Sequence, residues 1–224
     1  MTIKPILFNT EMVRAILNGR KTCTRRVVKP TLYYFEVNEK PVYIYDTEPS
    51  MGKIYPVCQP GDILYVRETW HRYTKLVGKG EGCHLEERYG YKASIANSED
   101  AEGPWKPSIH MPKEAARIWL KVTDVRVEQL QDITPKDAEN EGVGNLFYED
   151  IGYSKKDYGT EVDSEYGIVK EQFAWLWEST IKKSDIDRYG WNANPWVWVI
   201  EFERCEKPKE VELNERNSFQ GKTD

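Results

Sequence analysis

Long apolar runs, histidine and paired cysteines are all scarce in this 224-residue chain, and each shortage removes a class of function. No stretch approaches the roughly 20 apolar residues that span a bilayer, so no membrane association is expected. Met1-Thr2-Ile3-Lys4-Pro5 is followed by only three apolar residues before Asn9, which does not match a secretory signal peptide. The four cysteines (Cys23, Cys58, Cys83 and Cys205) stand far apart with no Cys-x-x-Cys pair, and His71, His84 and His110 form no ligand spacing with them. Cys83-His84 is the only adjacent pair, and adjacent residues chelate one metal poorly. Reduced thiols in a cytoplasmic protein without a structural zinc are therefore predicted. Gly-x-Gly-x-x-Gly and P-loop runs are missing too, as is any internal repeat, so no nucleotide cofactor and no solenoid is implied.

What the chain has in quantity is aromatic: eight Trp and fourteen Tyr. That density suits a β-rich fold, and it equally suits a surface that stacks on bases. Hydrophobic residues at 39% and charged residues at 31% fit a globular domain with a proper core. The net charge of -5 argues against a protein that coats nucleic acid through bulk charge, but the sign is uneven. The first thirty residues carry seven Lys/Arg (Lys4, Arg14, Arg20, Lys21, Arg25, Arg26, Lys29) against one acid, Glu11. A locally basic site on an acidic body can hold one anionic ligand without gripping long duplexes.

Along the chain, Asn9 or Thr10 can cap a helix whose apolar positions Met12, Val13, Ile16 and Leu17 recur at helical spacing, and Gly19 ends it. Thr22 to Val28 then leaves as a strand. Strands are also predicted at Ile63–Glu68, Ile118–Val127 and Trp196–Glu203. Thr134-Pro135 with Asp137 opens a short helix that sets Ala138 and Glu141 on one face, and 168–181 is an amphipathic helix. Residues 31–58, 72–104 and 144–166 read as insertions, the second as a hairpin and the third as a loop. Trp191 to Pro195 reads as a turn, and 206–224 as a disordered tail. One α+β domain over 1–205, a small mixed β-barrel with rim helices, is the architecture these elements suggest, and a parallel doubly wound sheet is disfavoured.

The run Gly19-Arg20-Lys21-Thr22-x-Thr24-x-Arg26 after a short helix resembles the signature of ASCH domains, relatives of the PUA RNA-binding fold. Pro60-Gly61-Asp62 with Leu64-Tyr65-Val66, the helix Asp137-Ala138-Glu139-Asn140-Glu141-Gly142 and the strand Val199-Ile200-Glu201-Phe202 look like that family in the same order, over roughly half of the chain. The longer pattern, with Trp105 to Pro112 and Asn194-Pro195-Trp196-Val197-Trp198, is similar to ASCH proteins of phages and prophages. The resemblance implies a PUA-like barrel and a modified nucleoside, RNA or single-stranded nucleic acid as partner. In the small bacterial ASCH enzymes that hydrolyse N4-acetylcytidine, a Lys, a Thr and a Glu are the proposed catalytic residues, and these match Lys21, Thr24 and Glu141.

Amide hydrolysis needs a nucleophile, a group to move its proton and a donor for the leaving nitrogen. Thr24 would attack the acyl carbonyl, Lys21 would take its proton and Glu141 would pass one to the leaving amine. In a regular strand residues 21 and 24 point to opposite faces, so their cooperation requires the chain to be turning still at Lys21-Thr22. Pattern alone, without the resemblance, reads Lys21 as a solvated turn lysine, Thr24 as a strand threonine and Glu141 as an exposed helix acid. Arg20 and Arg26 are candidate ligand contacts. Arg25 and Arg26 alternate, so one of them is expected to pair with a carboxylate such as Glu68. Ser108 and His110 alternate to one face of an extended segment that can read a base edge, and Asn194, Trp70 and Trp196 complete the candidate binding residues. The alternative reading is a non-catalytic PUA-like module that holds RNA, single-stranded nucleic acid or a modified base in the same cleft, with salt-dependent binding weakened by substitution of Arg20 or Arg26.

Overall fold

The computed structural model describes residues 1–28, 35–37, 40–42, 56–95, 103–143 and 164–209. Most of the segments read as insertions at 31–58 and 144–166, and the tail beyond 209, lie outside the described residues. Nine strands and five α-helices are described: β1 (Ile3–Leu7), α1 (Thr10–Leu17), β2 (Cys23–Val27), β3 (Phe35–Val37), β4 (Lys40–Val42), β5 (Ile63–Arg67), β6 (Trp70–Val77), β7 (His84–Tyr91), α2 (Lys92–Ile95), β8 (Trp119–Gln129), α3 (Pro135–Asn140), α4 (Ser164–Thr180), α5 (Ile186–Tyr189) and β9 (Trp196–Cys205). The fold is α+β. A five-stranded sheet has the order β1-β5-β8-β9-β2, and β3-β4 and β6-β7 form two-stranded sheets. Among the described residues β1 pairs with β5 in parallel, whereas β2–β9, β3–β4, β5–β8 and β6–β7 are antiparallel, which excludes a doubly wound parallel sheet.

The chain divides into two compact units, each assembled from separate stretches of sequence. The first comprises Met1–Asn18, Gly61–Lys121 and Glu203 onward. Its core gathers Ile63, Trp70, Met111, Ala115, Ala116 and Trp119. Helix α1 starts as its sequence dictates: the Asn9 side chain accepts the Met12 N–H at 2.8 Å, and Val13, Ala15 and Ile16 are buried. The expected hairpin at 72–104 is β6-β7, and its turn depends on Gly78, where φ is 103° and an added Cβ would stand 2.3 Å from the Gly82 carbonyl oxygen. The buried carboxylate of Glu68 is taken by Arg117, whose Nε and Nη2 donate at 2.8 and 2.9 Å.

The second unit comprises Gly19–Pro60 and Val122–Phe202. Leu130, Ile133, Ala138, Val143, Phe173, Trp177, Val197 and Val199 form its core. In β2 the register Cys23↔Glu201, Arg25↔Val199, Val27↔Val197 sets these three residues on one face of the strand pair. Thr24 and Arg26, opposite Ile200 and Trp198, take the other. Trp177 is fixed by donating its indole N–H to the Tyr189 carbonyl at 2.7 Å, which ties α4 to α5.

Candidate functional site

Two local signals bring the predicted residues of the second unit together. Gly19, with φ 73°, lets the chain leave α1 sharply ahead of Lys21 and β2. On the other side, Thr134 and Asp137 form a reciprocal capping box with Pro135 in the first turn, so α3 begins at a fixed point and ends six residues later at Asn140. Glu141 caps that end, Gly142 turns away at φ 91°, and the orphan Asn140 carbonyl accepts the Thr22 N–H at 2.8 Å. Lys21 and Glu141 thus become antiparallel bridge partners.

The side chains close on each other as well. Lys21 Nζ donates to Glu141 Oε2 at 2.5 Å and to the Glu141 carbonyl at 2.9 Å, with side-chain exposures of 0% and 4%. Lys21 is therefore not the solvated turn lysine that pattern alone suggests, nor is Glu141 an exposed helix acid. Arg25 holds the other carboxylate oxygen, its Nη1 lying 3.3 Å from Glu141 Oε1. The expected pairing of Arg25 or Arg26 with a carboxylate is met by Arg25, but the acids are Glu141, Glu128 (3.2 Å) and Asp137 (3.8 Å), because Glu68 belongs to the other unit and to Arg117.

Arg126 extends the arrangement, bonding Glu128 at 2.6 Å, Asp124 at 3.1 Å and Glu201. Burial works to lower the Arg126 guanidinium, but its hydrogen bonds to Glu128, Glu201 and Asp124 outweigh this and raise it above its ordinary value. Burial works to raise the Asp137 carboxyl; the bonds from Thr134 and the charges of Arg25 and Arg126 prevail and hold it below the ordinary value. Cys23, inside the same cluster, is pushed up to about 12, first by burial and then by Glu141, against the opposing charges of Lys21 and Arg25. Burial likewise lowers Arg26, which Glu141 partly offsets.

Arg25, Glu128, Asp137 and Arg126 were not among the expected site residues. The alternation Asp124-x-Arg126-x-Glu128 is the readable signal, since in a strand it lines one face with opposite charges. Of the other expected residues, Arg20 stands beside Glu141, its Nη1 donating to the Gly142 carbonyl at 3.0 Å. Thr24 is buried in β2 on the face opposite Arg25. Asn194 holds a left-handed turn at φ 45° and accepts the Gln131 N–H at 2.8 Å, a role that fixes the entry to β9. Trp196, half-buried, opens that strand, its carbonyl accepting the Val28 N–H at 3.0 Å.

Trp70, Ser108 and His110 lie in the first unit. Trp70 is buried in its core beside Tyr89, with the Lys106 ammonium 5.2 Å from its ring centroid. Ser108 to His110 is a 3-10 turn rather than an extended segment, closed by the His110 and Met111 N–H groups on the Pro107 and Ser108 carbonyls. Pro107 permits either conformation, and the turn removes the shared face expected of Ser108 and His110. Among the described residues no cluster of His, Cys, Asp and Glu is arranged to hold a metal ion, and no helix is long and apolar enough to cross a membrane. Compared with protein-family models, curated proteins and solved structures, the chain matches none.

Proposed function

We propose that this chain is an ASCH-type protein with a PUA-like barrel that takes a modified nucleoside beside Lys21 and Glu141 and removes an acyl group from N4-acetylcytidine or a close analogue. One observation supports the reading. Lys21 and Glu141, which the resemblance selects from segments 120 residues apart, are hydrogen-bonded at 2.5 Å in a buried cluster. A lysine and a carboxylate in contact form a proton-transfer pair. In the reaction Thr24 attacks the acyl carbon as Lys21 takes its proton, the C–N bond breaks as Glu141 passes a proton to the departing N4 amine, and cytidine leaves. Water then hydrolyses the acyl-threonine ester, releasing acetate and restoring Thr24. Arg20, half-buried at the Gly142 carbonyl, is placed to meet the nucleoside.

A second reading, a module that binds RNA or a modified base without chemistry, is favoured by Thr24 facing away from Arg25 and by the complete enclosure of the Lys21 side chain. One experiment separates the two. Incubated with N4-acetylcytidine, the full chain releases cytidine and acetate, and Lys21→Ala lowers turnover at least about 100-fold. Saturable binding of the nucleoside by folded protein with no product, even at high protein concentration, would sink the hydrolase and favour the module.

A further inference from the structure

The Glu141 carboxylate is shared. One oxygen receives the Lys21 ammonium and the other receives Arg25. Arg25 is an unusual side chain to find there. It is fully enclosed, its guanidinium carbon is 5.8 Å from the Phe173 ring centroid, and its Nε is buried without a hydrogen-bond partner. Leaving such an N–H unsatisfied in an apolar setting opposes folding. The remaining guanidinium nitrogens offset that cost by reaching three acids: Glu141, Glu128 and Asp137. Glu128 and Asp137 are in turn tied to Arg126, which meets solvent-facing Asp124 and Glu201. Opposite charges therefore alternate without a gap from the enclosed Lys21 to the surface of the second unit.

We propose that Arg25 is a positioning residue: by holding Glu141 Oε1 it fixes the rotation of the carboxylate and so presents Oε2 to Lys21. In its catalytic sense this role rests on the hydrolase reading above. The orientation itself does not. A planar guanidinium can bond Glu141 and Glu128 at once through separate nitrogens, whereas a lysine in its place delivers one point charge, and methionine none. With methionine at 25, Glu141 Oε1 loses its donor and the carboxylate is free to turn away from the ammonium.

The test uses the full chain and two variants, Arg25→Met and Arg25→Lys, each first shown to fold by circular dichroism and a cooperative melt. In 15N-labelled protein the buried, hydrogen-bonded Lys21 ammonium is shielded from exchange and gives a resolvable signal, assigned by its loss in Lys21→Arg. In Arg25→Met its proton exchange with water accelerates by about 10-fold or more, and Arg25→Lys recovers part of the protection. An unchanged Lys21 signal in folded Arg25→Met overturns the proposal and leaves Arg25 as a fastening of β2 to α3. Should Arg25→Met fail to fold, Arg25→Lys carries the comparison: an exchange rate equal to wild type overturns the proposal, and a faster rate supports it.

The activity arm reads kcat and KM for N4-acetylcytidine. Loss of orientation lowers kcat by about 100-fold in Arg25→Met with KM little changed, whereas a binding role raises KM and overturns positioning. A wild type that never turns over but keeps the protected Lys21 signal, lost in Arg25→Met, supports the positioning and defeats only the hydrolase.

Discussion

Removing one member of a buried ion pair is more damaging than removing both, and the Lys21–Glu141 contact is enclosed enough for that asymmetry to be measurable. Glu141→Ala strands the Lys21 ammonium and one Arg25 contact away from water, and is expected to destabilise the chain by about 3–5 kcal/mol in urea melts. Lys21→Met combined with Glu141→Leu replaces the pair by apolar volume and is expected to recover most of that loss. A Glu141→Ala variant as stable as wild type would show that water already reaches the ammonium. At this scale the sequence was partly readable. Motif resemblance selects Lys21 and Glu141 but not Arg25 and its acids, because Glu128 comes to Arg25 from β8, and Asp137 and Glu141 from α3 and its C-terminal cap. Nothing local to Thr22-Cys23-Thr24-Arg25 carries that information.

At the scale of elements, α3 is six residues long and too short to persist on its own. It stands on the Thr134–Asp137 capping box at one end and on the Thr22–Asn140 bond at the other. Thr134→Ala removes the side-chain oxygen that accepts the Asp137 N–H and should cost about 1 kcal/mol. Amide exchange should rise through 135–141 and not in α1, which has its own Asn9 cap; uniform exchange across both helices would contradict the assignment. The caps, the β-branched strands and the β6-β7 hairpin follow from local residue preferences, and all three are visible before any fold is known. The Ser108–His110 turn is not, since a proline on either side of it suits an extended chain as well as a turn. The parallel pairing of β1 with β5 is also invisible locally, being a contact across about sixty residues of chain.

Over the whole molecule, alkali should act on both units, through the buried Cys23 in one and the half-buried Tyr91 in the other. The Cys23 thiol of the second unit is pushed from 9.0 to about 12, and the Tyr91 phenol of the first from 10.0 to about 12, in both cases chiefly by burial. Each group stays protonated in the folded chain where the unfolded chain would ionise. Each therefore adds stability that is complete below its ordinary value and is lost as pH rises toward about 12. Denaturation midpoints should hold steady from pH 7 to 9 and fall between pH 9 and 12, and Cys23→Ala should flatten the first part of that decline. A midpoint independent of pH across this window would show that the two groups are reached by solvent.

The joining of Lys21 to Glu141 also has a history in time. The two residues are separated by 120 positions, so at ribosomal speeds of about 5–20 residues per second roughly 6–24 s pass between their emergence. Through that interval Lys21 is a solvated lysine, and its side chain becomes enclosed once its carboxylate arrives. General acylating reagents should therefore mark Lys21 faster in the nascent or denatured chain than in the folded protein.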